Sequence, residues 1–300
     1  MNDIFLGRND EPKNERLFRR LYAIRRFEES VLSLFDEGVL SGTTHACIGQ
    51  EADAVGVLEH VRAEDLVFSN HRCHGHYLAR TGDVRGLLAE MMGKPQGVCK
   101  GVGGSQHLFA EGFQSSGILG GLFPVAAGSA LALKMKAKGG LGVAFIGDGT
   151  LGEGVVYETL NIVSLWKIPL FIVLEDNGWA QSTPKHLNTA GSLKARFEAF
   201  GLPVTQIATT DVTVVEEAAG RQIEFVRSSQ NPSVLAIETY RLCHHSKNDD
   251  ARPKDEVEAR WANEPLRIQG ARIPEERVRI ISKEVDDALK QTIETLKGGR

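Results

Sequence analysis

The sequence predicts a doubly wound α/β fold, a mostly parallel sheet with helices on both faces, and three observations carry the prediction. Short apolar runs of strand length alternate with stretches of helical periodicity from the middle of the chain onward. The central stretch Ile146 to Thr183 reads as strand, tight turn, helix, strand, tight turn. Polar residues gather just past the ends of these strands, at the edge where such sheets bind ligands. The 300 residues read as a polar tail over 1–13 and a single domain over 14–300, with a helical arm at its start and a helix at its end.

Taken in order, Asn14 to Asp36 places Leu17, Leu21, Ile24, Phe27, Val31 and Leu34 at helical spacing, with Gly38 past the end. Gly42 to Ala52, G-T-T-H-A-C-I-G-Q-E-A, enters a second helix, and His45 within it reads first as a structural histidine. Ser69 to Gly82 holds His71, His74 and His76 close together. Zinc is the obvious alternative there, but the spacings of three and two lack the helical i, i+4 pair and the intervening glutamate of zinc hydrolases. Arg72 is the more telling residue, because a guanidinium fork recognises phosphate with paired hydrogen bonds. Gly93 to Gly128 is rich in glycine yet carries Val, Leu, Phe and Ile, so it reads as a ligand-lining segment rather than a linker. It runs into a helix expected over Val125 to Lys138.

Leu141 to Ile146 is a buried strand whose flanking Gly147 and Gly149 let the backbone turn around Asp148. A helix expected from near Thr150, with Leu151, Val155, Leu160, Val163 and Trp166 on one face, stops before Pro169. Leu170 to Leu174 is the next strand. In a parallel β-α-β unit Asp148 and Asn177 emerge on one edge, and an acid with an amide carbonyl suits magnesium completed by substrate phosphates. A helix amino end beside them favours the same phosphates. By itself Gly-Asp-Gly also fits a simple turn. Beyond Thr183 the pattern gives a short helix over Ser192 to Phe200, a strand at Val204 to Ile207, a helix over Thr213 to Ser228, a strand at Val234 to Glu238 and a terminal helix over Pro274 to Lys297. Thr239 to Glu256 between them is a polar loop bearing adjacent His244 and His245.

Composition excludes several classes. With 42% hydrophobic and 25% charged residues the chain is an ordinary globular one, and a net charge of -4 gives no electrostatic case for nucleic acid or an anionic membrane. No apolar run could span a bilayer, and Met1 to Lys13 has no signal-peptide core, which predicts a cytoplasmic protein. Cys47, Cys73, Cys99 and Cys243 are scattered singly, so neither a disulfide framework nor a zinc knuckle is indicated.

Gly-Asp-Gly followed, after one helix and one strand, by Glu175-Asp176-Asn177-Gly178 resembles the thiamine diphosphate signature. Asp176 stands where that signature has its first Asn. Further stretches in the same order are Arg26-Phe27-Glu28, G-T-T-H with G-Q-E-A, H-R-x-H-G with A-R-T-G-D, A-E-M-M-G-K with K-G-V-G-G-S-Q-H, the G-I-L-G loop, and Y-R-x-x-H-H-S with Asp249-Asp250. Together they resemble, over Asn14 to Lys297, the alpha subunit of the dehydrogenase component of 2-oxo acid dehydrogenase complexes. Several ordered motifs are far more specific than one, and the zinc and bare-turn readings give way to this one.

The resemblance implies a thiamine diphosphate-binding fold, the 14–300 region being the diphosphate-binding domain. It implies magnesium held by Asp148, Asn177 and the Trp179 carbonyl, with Gly147, Gly149 and Thr150 around the diphosphate. Arg72 would hold diphosphate with Asn70 and His71 beside it, His71 replacing a Tyr found in many members. Gly117 and Leu119 would line the aminopyrimidine, and His244, with His45 and His245, would face the reacting carbon. The double histidine with Asp-Asp looks more like branched-chain 2-oxo acid members than pyruvate members, while Asn248 replaces a usual Ser. The implied reaction is oxidative decarboxylation of a 2-oxo acid with acyl transfer to a lipoyl group on an acyltransferase. A separate beta chain would supply the pyrimidine domain and the activating glutamate in an alpha2beta2 assembly. Alternatives are an acetoin dehydrogenase, a transketolase-like or acyloin-forming subunit, or a non-catalytic scaffold that kept the fold.

Overall fold

Successive side chains of a strand point to opposite faces of its sheet, and here that alternation divides the core in two. Val143, Phe145, Phe171, Val173, Leu235 and Ile237 enter one apolar cluster, and Ala144, Ile146, Ile172, Leu174, Val234 and Ala236 enter the other. Both faces are therefore covered, as a parallel sheet requires. The computed structural model describes residues 2–8, 10–137, 139–246 and 249–298.

The strands are β1 (Leu66–Ser69), β2 (Phe109–Ala110), β3 (Phe113–Ser115), β4 (Gly142–Gly147), β5 (Leu170–Asp176), β6 (Trp179–Ala180), β7 (Thr183–Pro184), β8 (Val204–Ala208) and β9 (Ser233–Glu238). The seven-stranded sheet runs β2-β3-β1-β4-β5-β9-β8, and only the β2–β3 pair in it is antiparallel. From β1 the chain crosses to β3 on one side and then returns to β4 on the other. That reversal opens a crevice beyond the carboxyl ends of β1 and β4. The register Gly147↔Glu175 and Asp176↔Glu238 brings Asp148, Asn177 and the loop after β9 to the same edge.

On one face lie the helices Lys13–Asp36, Glu51–Leu58, His74–Thr81, Val84–Met91, Val212–Ser229 and Glu275–Gly298; on the other lie Leu119–Met135 and Gly154–Leu165. The predicted apolar positions of the first long helix are all buried, Leu17, Leu21, Phe27 and Val31 completely. Burial of each such side chain contributes about 1.5–3 kcal/mol. Arg19, Arg20 and Arg25 on the same helix are also buried, held by Glu11, Glu59 and Glu51 respectively. The apolar face of this helix is thus consumed inside its own chain. None of the helices among the described residues is long and apolar enough to cross a membrane.

Several expected boundaries shift. Residues 1–13 were expected as a polar tail, but Asn2–Leu6 is a short helix whose Phe5 enters the core, and Glu11 is buried against Arg19. The helix expected at Val125 begins at Leu119 and runs to Met135, so Pro124 lies within it. A proline has no N–H to give, yet here the preceding turn is anchored by the Gly120 N–H donating to the Glu153 carboxylate at 2.9 Å. Lys138, the expected end, lies outside the described residues. After β4 the chain makes a 3-10 turn over Asp148–Gly152 and becomes α-helical only at Gly154, not near Thr150. Trp166, expected on the buried face, caps that helix 53% exposed. Strand β1 and the helices Lys254–Arg260 and Pro265–Gly270 had no sequence expectation.

Candidate active site

A cavity of about 410 Å³ lies in the crevice beyond β1 and β4. Several segments build it, the loop after β9 among them. The first follows Gly42: Gly49 has φ +98°, and a Cβ there would meet the Tyr240 carbonyl oxygen at 2.4 Å, so only glycine lets this loop lie against the loop after β9. The Leu242 N–H donating to Ile48 O at 2.8 Å locks the two loops together. His45 and Gln50 face the cavity from here.

The second segment leaves β1 through Asn70, His71 and Arg72. The Arg72 N–H donates to Asn70 Oδ1 at 2.8 Å, and Asn70 Nδ2 donates to Glu175 at 3.1 Å. Arg72 is buried, one guanidinium nitrogen donating to the Ala46 carbonyl and the other 3.5 Å from His245 Nδ1. The three histidines of this stretch separate. His74 lies between Glu28 (2.9 Å) and Ser105, and His76 between Ser69 (2.8 Å) and Glu175. Only His71 faces the cavity.

The third segment supplies Gly117 and Leu119, at the start of the helix behind Pro124. A Cβ on Gly117 would meet Gln106 Oε1 at 2.4 Å, so the backbone passes close to a second cavity residue. The fourth is the β4–β5 edge, with Gly147, Asp148, Gly149, Thr150, Asn177 and Trp179. Burial, then the neighbouring Asp176 carboxylate, pushes the Asp148 carboxyl up to about 6. Asn177 Oδ1 accepts the Trp179 N–H at 3.0 Å, which fixes the turn. The departure at Asp176 has a structural use: its carboxylate binds Lys185 at 2.5 Å and accepts the Gly178 N–H.

Of the adjacent pair, His245 lines the cavity and His244 does not. His245, expected beside His244 at the reacting carbon, is thus the member of the pair on this cavity. Just ahead of the pair, the Cys243 thiol reaches the Ala46 carbonyl at 3.6 Å and holds the loop against the segment after Gly42. His245 meets His45 and His71 with ring centroids 4.7 and 5.5 Å apart, and His45 and His71 are 4.5 Å apart. Burial and then the Arg72 charge lower all three, His45 to about 3, His245 to about 4 and His71 well below its usual value. At neutral pH these are three uncharged imidazoles.

Sequence reasoning missed Gln50, Gln106, Glu175, Ala180 and Gln181 as cavity residues. Gln50 and Gln106 lay in motifs already noticed, G-Q-E-A and G-S-Q-H, and their polar side chains amid small residues were the available signal. Lys247 and Asn248 lie outside the described residues. A larger cavity of about 510 Å³ on the other side of the Asp176–Trp179 turn contains none of Arg72, Asp148 or the histidines, and so lacks the groups that recognise a diphosphate.

Residues 19–295 match the family described as Dehydrogenase E1 component. The chain belongs to this family. It is an alpha-type chain of the thiamine diphosphate-dependent 2-oxo acid dehydrogenases. It is 38% identical over 243 residues to the alpha subunit of acetoin:2,6-dichlorophenolindophenol oxidoreductase from Bacillus subtilis, which covers 80% of this chain and 73% of that one. It is likewise 38% identical over 259 residues to the pyruvate dehydrogenase E1 component subunit alpha of Zymomonas mobilis, covering 84% and 73%. The Rhizobium meliloti pyruvate dehydrogenase E1 alpha subunit is 35% identical over 283 residues, covering 90% and 81%.

The donor set of this E1 chain fits a magnesium-bound diphosphate. Asp148 is buried next to a second acid, a repulsion that a hard cation would relieve. Thr150 Oγ1 is buried with no hydrogen-bond partner among the described residues, as are both His71 nitrogens and His45 Nδ1. Native buried polar atoms are rarely left so, and here they converge on one cavity.

Proposed function

We propose that the cavity holds the diphosphate end of thiamine diphosphate with magnesium, and that the chain serves in the cytoplasm as the alpha half of an enzyme that oxidatively decarboxylates a 2-oxo acid. Asp148, Asn177 and the Trp179 carbonyl would hold the metal, and Arg72 with Asn70 and His71 the diphosphate. The observation that carries the reading is the convergence of Asp148, Asn177 and Arg72 on one cavity with three uncharged histidines. When bound, the cofactor supplies the carbanion chemistry that splits the 2-oxo acid.

The chain's own residues do the rest. Arg72, buried and already fixed by Ala46, meets phosphate oxygens without loss of side-chain freedom. Gly117 and Leu119 shape an apolar wall. His45 and His245, uncharged and held beside Arg72, can donate or accept a proton at the substrate oxygen, and burial, then the guanidinium, keeps them from carrying charge themselves. A beta chain would complete the site with the activating carboxylate, in an alpha2beta2 assembly. The surface offered to it is the exposed apolar set on the two helices covering the second core, Val125, Met135, Ile162, Leu165 and Trp166. A lipoyl-bearing acyltransferase would take the acyl group.

The test is calorimetry of thiamine diphosphate with magnesium against the wild type and Asp148→Ala. The expected result is magnesium-dependent binding that weakens by about 1.5–3 kcal/mol or more in the variant, the scale of one hydrogen bond to a charge. Unchanged affinity sinks the metal assignment. A panel of pyruvate, branched-chain 2-oxo acids and acetoin, assayed with the partner chain, then assigns the substrate.

A further inference from the structure

His45, His71 and His245, whose ring nitrogens also face the place given to the diphosphate, form a cluster of three imidazoles. Each residue offers one ring nitrogen, and the three nitrogens lie within 4.8 Å of one another. Both nitrogens of His71 and Nδ1 of His45 are shut away from solvent with no partner among the described residues. The three come from separate segments, the loop after Gly42, the turn after β1 and the loop after β9, so only the fold assembles them. The histidines that sequence alone grouped with His71 are committed elsewhere, His74 to Glu28 and His76 to Ser69.

We infer that His45, His71 and His245 form a three-imidazole site for a borderline transition-metal cation of the zinc class, distinct from the oxygen-donor site of Asp148 and Asn177. Zinc binds imidazole nitrogen at about 2.0–2.1 Å in tetrahedral geometry. Neighbouring ligand nitrogens are then about 3.4 Å apart, so the trio closes by at most about 1.4 Å. Rotation of three side chains supplies that, and the fourth position is left to water. Imidazole donors prefer zinc, copper or nickel, whereas magnesium prefers oxygen, so the two sites sort metals by ligand type. The Arg72 guanidinium opposes a cation here, while Asp249 on the same loop, which takes the Ser246 N–H at 2.9 Å, contributes the opposite charge. The balance sets a moderate affinity. His71 is the deciding residue, since without it two imidazoles remain. Because the trio shares the cavity with Arg72, a bound zinc ion and a bound diphosphate compete.

The experiment uses the full chain, with its partner if they co-purify, stripped of metal and cofactor and kept in excess magnesium. Calorimetric titration with zinc is expected to give one site per chain. His71→Tyr is expected to lower its affinity at least about 100-fold, beyond the 10–100-fold typical of losing only a residue that supports a ligand. His244→Gln, next to the site but outside the cavity, is expected to leave the affinity within about twofold, as a change that removes no ligand leaves the metal site intact. Cobalt in the wild-type protein is expected to show the visible absorption of a tetrahedral site and to lose it on adding zinc, a readout that needs no variant to fold. Absence of zinc binding by the wild type, or equal binding by wild type and His71→Tyr, overturns the inference. This site rests on the imidazoles and not on the cofactor reading: a chain that binds zinc but no thiamine diphosphate sinks that reading alone, and the converse sinks this one alone.

Discussion

At the scale of single residues, the two adjacent histidines are the sharpest contrast, because one lines the cavity beside Arg72 and the other does not. His245→Ala should lower kcat by about 10²–10⁴-fold, the usual reach of a positioned acid or base, with cofactor affinity little changed. His244→Ala should leave kcat within a few-fold. Steady-state kinetics at saturating cofactor decides it, and the reverse ranking would return the role to His244. Asp53 poses a different problem. It is fully buried, neither of its oxygens makes a hydrogen bond of normal geometry among the described residues, and burial followed by the Glu175 charge raises its carboxyl well above the usual range. The folded chain thus holds a proton that the unfolded chain releases near pH 4, so this residue costs stability increasingly as pH rises from there. Asp53→Asn removes the titration. Its stability relative to wild type, read from urea midpoints, should improve with rising pH between 5 and 7.5 by up to about 1.4 kcal/mol per unit. A gap that does not change with pH would mean the acid stays charged.

Among the elements, the helix Val212–Ser229 has the clearest start signal. Asp211 accepts the Thr213 N–H at 2.9 Å, and Arg272 from the connection ahead of the last helix binds the same carboxylate. The cap therefore also ties the terminal region to the sheet. Arg272, the largest cause, lowers the Asp211 carboxyl to about 2. A depressed carboxyl contributes stability that is complete above its unfolded value near 4 and is lost as pH falls toward 2. Asp211→Ala should cost about 1–2 kcal/mol at pH 7. By chemical denaturation that difference should hold from pH 5 to 7.5 and shrink below pH 4. A difference that persists undiminished into acid would assign the effect to packing instead.

For the whole molecule, the telling surface is the one left apolar. Leu165 is 71% exposed, Met135 79% and Trp166 53%, while the predicted apolar positions of the first long helix are buried. Patches of this kind on a folded chain mark association sites. The isolated chain should give no turnover with an artificial electron acceptor, and addition of the beta chain should restore it. Trp166→Asp should weaken that association by about 2 kcal/mol or more if the tryptophan is one of its anchors. Full turnover by the chain alone would place the activating carboxylate within these 300 residues.

Local pattern was enough to read the alternation of strands and helices, because the period of apolar residues is set by the backbone geometry of each element and needs no distant partner. It was also enough to put Asp148 and Asn177 at strand ends, since parallel connections leave those ends on one edge. Four things escaped it. The burial of Phe5 and the start of a helix ahead of Pro124 depend on contacts far along the chain, with the main apolar cluster and with Glu153. The choice between His244 and His245 depends on which way a loop side chain turns once Cys243 and Leu242 are pinned to the segment after Gly42. The meeting of His45, His71 and His245 spans three loops brought together by the crevice between β1 and β4. Spacing along a chain carries the period of an element, but not the side from which a loop closes over it, because that is settled only when the loops pack against each other.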